Sequence, residues 1–155
     1  MEFKSIEIKH FRGFEHINVD LTNQNVIFGL NDIGKSNFLA AIRFVLDREV
    51  RKNRLLESDF YMRDTSEDVE ITLCLGIEDF ETSDDSKLLV SRMKGARDSS
   101  ELNRIYIKLV SKYEVENEYG GTTLYWGNKL DSLEEIPIKN DTSEIDRVFN
   151  VIYID

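Results

Sequence analysis

Cysteine is almost missing from this 155-residue chain: Cys74 stands alone, so no intramolecular disulfide can form. That usage fits a reducing compartment. Proline occurs once, at Pro137, which excludes collagen-like and proline-rich chains. No apolar run approaches the ~20 residues needed to cross a bilayer. The opening MEFKSIEIKH has no continuous apolar core, so it does not read as a signal peptide. A soluble, cytoplasmic protein is the expectation. Basic residues are also short, 20 against 30 acidic, for a net charge of −10. The deficit is local. Residues 1–55 hold 9 basic and 7 acidic side chains, whereas residues 56–155 hold 11 and 23. An acidic surface repels a phosphate backbone, so this piece is not expected to be a main grip on DNA. An anion site is expected in the first 55 residues.

Core material is present. The chain is 41% hydrophobic, with nine Phe, six Tyr and one Trp. A chain near 150 residues hides roughly 70% of its unfolded surface, enough for a real core. Disorder and a disulfide-stapled miniprotein are excluded.

Alternation marks the strands. In residues 3–11, Ile6 and Ile8 oppose Glu7 and Lys9; in residues 15–21, Ile17, Val19 and Leu21 repeat the pattern. With Arg12-Gly13 as the turn, these make a hairpin. Residues 25–28 (NVIF) read as a short buried strand. A helix follows near 35–47, with Phe38, Ile42 and Val45 on one stripe. Residues 69–78 and 105–115 alternate as antiparallel strands with one wet face. Gly120-Gly121 and Gly127-Asn128 read as turns on either side of a strand at Thr122–Trp126. Asp84–Met93 reads as a short helix, and Val151–Ile154 as a further buried strand.

The informative segment is Gly29-Leu30-Asn31-Asp32-Ile33-Gly34-Lys35-Ser36, a complete G-x-x-x-x-G-K-[ST] between a strand and an amphipathic helix. Each residue type has a reason. Gly29 and Gly34 let the backbone bring its N–H groups close to phosphate oxygens. The helix N-terminus adds partial positive charge. Lys35 supplies a point charge for the β and γ phosphates, and the Ser36 hydroxyl suits Mg²⁺. The expected nucleotide site is Gly29, Asn31, Asp32, Ile33, Gly34, Lys35, Ser36 and Asn37, with ATP and Mg²⁺ as cofactors and Ser36 as metal ligand. Asn31 fits a role in holding the loop through side-chain bonds to backbone. Asp32 places an acid near the phosphates and is expected to point to solvent.

The flanks extend the pattern. The phrase Ile8-Lys9-His10-Phe11-Arg12-Gly13-Phe14 followed by Asn-Val-Ile-Phe-Gly-x-Asn-x-x-Gly-Lys-Ser-Asn resembles the ABC-type ATPases of the RecF, SMC and OLD nuclease group. NVIFGLNDIGKSNFLAAIRFVLDREVRK, VSRMKGAR, YWGNKLDSLEEIP and VFNVIYID resemble, in order, the start of OLD-family endonucleases of the Gabija anti-phage type. The resemblance implies an ABC ATPase domain followed by a metal-dependent Toprim nuclease acting on DNA under nucleotide control. It also implies a helicase-like GajB partner, assembly through the full-length protein, and ATP held between two ATPase domains. Arg12 corresponds to an arginine that contacts nucleotide in related ATPases. The Q-loop glutamine has no counterpart, because Gln24 is the only glutamine; Asp59 is a candidate replacement.

The resemblance implies the N-terminal lobe of a longer protein. The fold class expected is α/β: a P-loop NTPase, the N-terminal lobe of an ABC-type ATPase head. A mainly parallel sheet would carry the P-loop, with an added antiparallel β layer beside it. Residues 1–56 would form the hairpin, Walker A loop and helix, and residues 57–155 the β-rich remainder. No catalytic residue is assigned to this chain, and hydrolysis by it alone is expected to be negligible without the acid that activates water. Val151–Asp155 has the hhhhD form of a Walker B strand, but it reads better as a buried strand of the lobe.

Weaker features divide the same way. Arg48, Arg51, Lys52 and Arg54 form a basic run that suits either DNA or a solvated helix end, and the latter is preferred. His10 and His16 lack metal-site spacing. Asn128-Lys129-Leu130-Asp131 spells a guanine-selecting phrase, but in the wrong context. An SMC- or RecF-like head without nuclease activity is the alternative function, and a standalone nucleotide switch a third.

Overall fold

The computed structural model describes residues 1–21, 32–77, 82–93 and 103–149. The expected strands at 25–28 and 151–154 lie outside the described residues. Glu2–Phe11 (β1) and Phe14–Asp20 (β2) form the expected hairpin. Helix α1 covers Asp32–Leu46, and the four-residue α2 covers Arg48–Arg51. Two 3-10 turns, Glu57–Asp59 and Tyr61–Arg63, lead to β3 at Val69–Gly76. Helix α3 (Asp84–Met93) precedes β4 (Arg104–Glu114), β5 (Tyr119–Gly127) and β6 (Glu134–Ile136). A last 3-10 turn covers Glu144–Arg147.

All six strands join one sheet in the order β2-β1-β3-β4-β5-β6, and every pairing is antiparallel. The parallel sheet expected from the sequence is not formed among the described residues. Strand β3 joins the hairpin directly through β1, so the described strands of both parts of the chain form one sheet.

Register explains the core. Ile6, Leu73, Ile107 and Trp126 lie side by side across four strands, and Ile8, Ile71, Leu109, Leu124 and Ile136 make a second row. All are buried. Period-two alternation puts both rows on one face, so a one-residue slip would turn them outward. Helix α1 contacts β3 and β4, and its residues Phe38, Ala41, Phe44 and Val45 are buried in the same core. The Phe11 and Phe44 rings meet edge-on at 5.9 Å. The opposite face is polar: Glu70 reaches Lys108 at 2.8 Å and Lys9 at 3.9 Å, and Glu7 reaches His16 at 3.1 Å. Such exposed pairs add little stability and mainly suit a wet face.

Helix α3 has the bounds its sequence suggests. Ser83 Oγ accepts from the Ser86 amide at 3.2 Å, and Asp84 and Asp85 favour the positive end of the helix. Gly120-Gly121 corrects the sequence reading. Both residues sit inside β5, and the reversal occurs earlier, at 115–118, with Glu118 at φ 59°. Glycine is required at 120 by crowding, because a Cβ there would lie 2.1 Å from Ser111 Oγ and 3.3 Å from Leu55 Cβ.

Candidate nucleotide-binding site

Three chain segments meet at the start of α1. The first is α1 itself. Gly29 and Asn31 lie outside the described residues; Asp32 and Ile33 open the helix, and their side chains are not described. Gly34, Lys35 and Ser36 continue that opening. Lys35 is half-buried, while Gly34 and Ser36 are exposed. A Cβ built at Gly34 would meet nothing within 4 Å, so the approach to the backbone there is open. Helix-start N–H groups, an open glycine, a lysine and an exposed hydroxyl are a donor set that fits a magnesium-bound polyphosphate.

The second segment is the β1–β2 turn. Arg12, rather than Gly13, takes the left-handed backbone, with φ 50°. A non-glycine residue there is strained by roughly 1–2 kcal/mol. The Arg12 amide donates to the Asp59 carbonyl at 2.8 Å. Its Nε donates to Asp59 Oδ1 at 3.0 Å and its Nη1 to Asn37 Oδ1 at 3.1 Å. The Phe11 ring lies 5.1 Å from the guanidinium carbon, within cation–π range. Asn37 lies three and four positions after Gly34 and Ile33, so the three share one side of α1. The Asn37 contact therefore brings Arg12 to the end of the Walker-type loop.

The third segment runs from Leu55 to Asp64. The Gly120 amide donates to the Leu55 carbonyl at 2.6 Å, and Phe60 bridges to Phe11. Asp59 is 9% exposed, and its Oδ2 accepts from the Leu56 amide at 2.8 Å. Both carboxylate oxygens thus accept a hydrogen bond from within the protein. His10, also left-handed at φ 58°, places Nε2 2.5 Å from the Asp64 carbonyl oxygen and Nδ1 3.4 Å from Glu67.

The Arg12–Asn37–Asp59 arrangement was not legible in the sequence. Nothing local in the sequence couples position 12 to position 59.

The basic run is paired within the chain, with Arg51 buried and Arg48, Lys52 and Arg54 at the surface. Arg51 is buried, donating from Nη2 to both Asp146 oxygens at 2.6 Å and from Nη1 to the Val45 carbonyl at 2.9 Å. Arg48 donates to the Asp141 carbonyl, Arg54 pairs with Asp141, and Lys52 pairs with Glu49. Asn128 is buried at the end of β5. No group of three or more His, Cys, Asp or Glu side chains suited to a metal occurs among the described residues. No helix among them is long and apolar enough to cross a membrane.

Known proteins resemble the chain at two levels, a domain family and individual relatives. The AAA ATPase domain family matches residues 1–150. The chain is 49% identical to Endonuclease GajA of Bacillus cereus (strain VD045) over 99% of its own length, which is 27% of that protein. It is 46% identical to the DNA replication and repair protein RecF of Streptococcus agalactiae, over 29% of this chain and 12% of RecF. An ATP/GTP phosphatase of Helicobacter pylori is 30% identical, over 46% of this chain and 24% of that protein. The chain therefore spans about a quarter of the length of the GajA relative, or less of the others.

Proposed function

The chain belongs to the AAA ATPase domain family, and we propose that it is the ATP-binding N-terminal lobe of a GajA-like, OLD-family DNA endonuclease of Gabija anti-phage defence. The observation that carries this reading is the likeness to Endonuclease GajA, which extends over 99% of the chain. The RecF likeness covers only 29% of the chain, so a RecF-like whole is the less supported reading.

In this reading Gly29, Asn31, Asp32, Ile33 and Gly34 form the phosphate loop. Lys35 meets the phosphates, Ser36 ligates Mg²⁺, Asn37 shapes the helix start, and Arg12 adds a second cation. Bound Mg-ATP would supply a compact, multiply charged ligand whose presence or absence can report to the rest of the protein. Residues 1–56 carry the hairpin, the Walker A loop and its helix, and 57–155 the β-rich remainder of the lobe. The intact protein would cut DNA with its own metal ions, assemble with further copies, and work beside a GajB-like helicase.

The test is DNA cleavage by the intact protein, with and without ATP, for wild type and Lys35→Ala. Cleavage whose rate responds to ATP in wild type and ignores ATP in the variant is expected. Absence of cleavage under all metal conditions would favour the RecF-like alternative, an ATPase head without nuclease activity.

A further inference from the structure

We infer that Asp59 and Asn37 are positioning residues that hold the Arg12 guanidinium at the phosphate end of α1. The inference rests on the ATP-binding reading above and deepens it. Four restraints converge on one flexible side chain. Asp59 Oδ1 takes Nε, Asn37 Oδ1 takes Nη1, the Phe11 ring lies beneath the guanidinium, and the Arg12 amide is fastened to the Asp59 carbonyl. The other guanidinium N–H groups donate to no described residue, and the side chain keeps 30% of its surface exposed. The head is thus fixed in orientation and still has donors to offer.

The turn backbone carries the Arg12 side chain on a two-residue loop between Phe11 and Phe14. A free arginine loses much rotamer freedom when it clamps an anion. One already held by Asp59 and Asn37 loses little, so part of that cost is removed before the anion arrives. Asp59 is in turn fixed by the Leu56 amide, and its segment is anchored to β5 through Leu55 and Gly120.

The experiment is a double-mutant cycle read by equilibrium binding of Mg-ATP to the chain, with thermal melting of every variant. Arg12→Ala is expected to weaken binding about tenfold, as for loss of a charge-assisted hydrogen bond. Asn37→Ala and Asp59→Asn should each weaken it about three- to tenfold when Arg12 is present. On the Arg12→Ala background, both should have no further effect on affinity. A role in stability alone would lower melting temperature and leave affinity equal, or lower affinity by the same factor in both backgrounds; either result overturns the inference. Tighter binding by Asp59→Asn would overturn it too, because Asp59 would then compete with the phosphates. Asn37→Ala changes no charge and removes no core contact, so it keeps the test decisive should Asp59→Asn fail to fold. Lys35→Ala separates the two levels. If it binds ATP as wild type does, or if wild type does not bind, the nucleotide reading itself falls and this inference with it. If it loses binding while the Arg12 cycle is additive, only the positioning role falls.

Discussion

Arg51 closes a short helix with its guanidinium inside the protein. Its partner Asp146 also accepts from the Ser143 amide at 2.8 Å and the Ser143 hydroxyl at 3.1 Å, so the carboxylate is well satisfied. Removing one member of such a pair strands a buried charge and costs about 3–5 kcal/mol. Arg51→Ala should therefore lower the thermal midpoint on the order of 10 °C for a chain of this size. Circular dichroism melts check this, and a fall of less than ~2 °C would contradict the burial. Asp64 makes a smaller, pH-dependent case. The Ser66 hydroxyl, then the Ser66 amide, and last the charge of His10 hold its carboxyl below the usual range, against a small opposing effect of burial. A depressed folded value stabilises the folded state above the ordinary carboxylate pKa of ~3.9, and that contribution is lost as pH falls through the folded value. Ser66→Ala should raise the Asp64 midpoint toward the ordinary value in an NMR carboxyl titration. An unchanged midpoint would show that Ser66 is not the cause.

At the scale of elements, β4 and β5 depend on one glycine. Gly120→Ala would press a methyl group against Ser111 Oγ and Leu55, so the variant should lose about 1–3 kcal/mol in a urea melt. Ser111→Gly added to it should recover part of the loss, but not all, because the Leu55 contact remains. Equal stability of wild type and Gly120→Ala would sink this account of the strand. The same glycine shows where sequence reading ends. Strands β1 to β4 and helix α3 are legible because period-two and capping patterns are local, and the chain states them residue by residue. Gly120-Gly121 looks like a turn by the same local logic. The real cause at Gly120 is crowding by Ser111 on β4 and by Leu55, 65 positions away, which no local pattern reveals. The site divides likewise. Gly34, Lys35 and Ser36 are a readable string, whereas the Arg12–Asp59 and Arg51–Asp146 pairs exist only once distant segments meet. The neighbour order of the described strands, with β3 against β1, was not legible either, because alternation fixes a strand's faces and not its neighbours.

For the whole molecule, charge and site divide the chain. Residues 56–155 hold 11 basic and 23 acidic side chains, and the basic run of residues 48–54 is paired with Asp141, Asp146 and Glu49. Replacing Arg48, Lys52 and Arg54 together by Gln should therefore leave DNA affinity of the intact protein, and its salt dependence, unchanged. A salt slope reduced by two to three would return those residues to the DNA interface. The central claim is narrower: the chain is a nucleotide-binding lobe whose contact is made by Lys35 at the start of α1. Calorimetric titration of Mg-ATP into wild type and Lys35→Ala tests it most directly. Saturable one-site binding by wild type, weakened roughly a hundredfold or more in a variant with an unchanged melt, is the expected result. Equal affinity in the two proteins would contradict it.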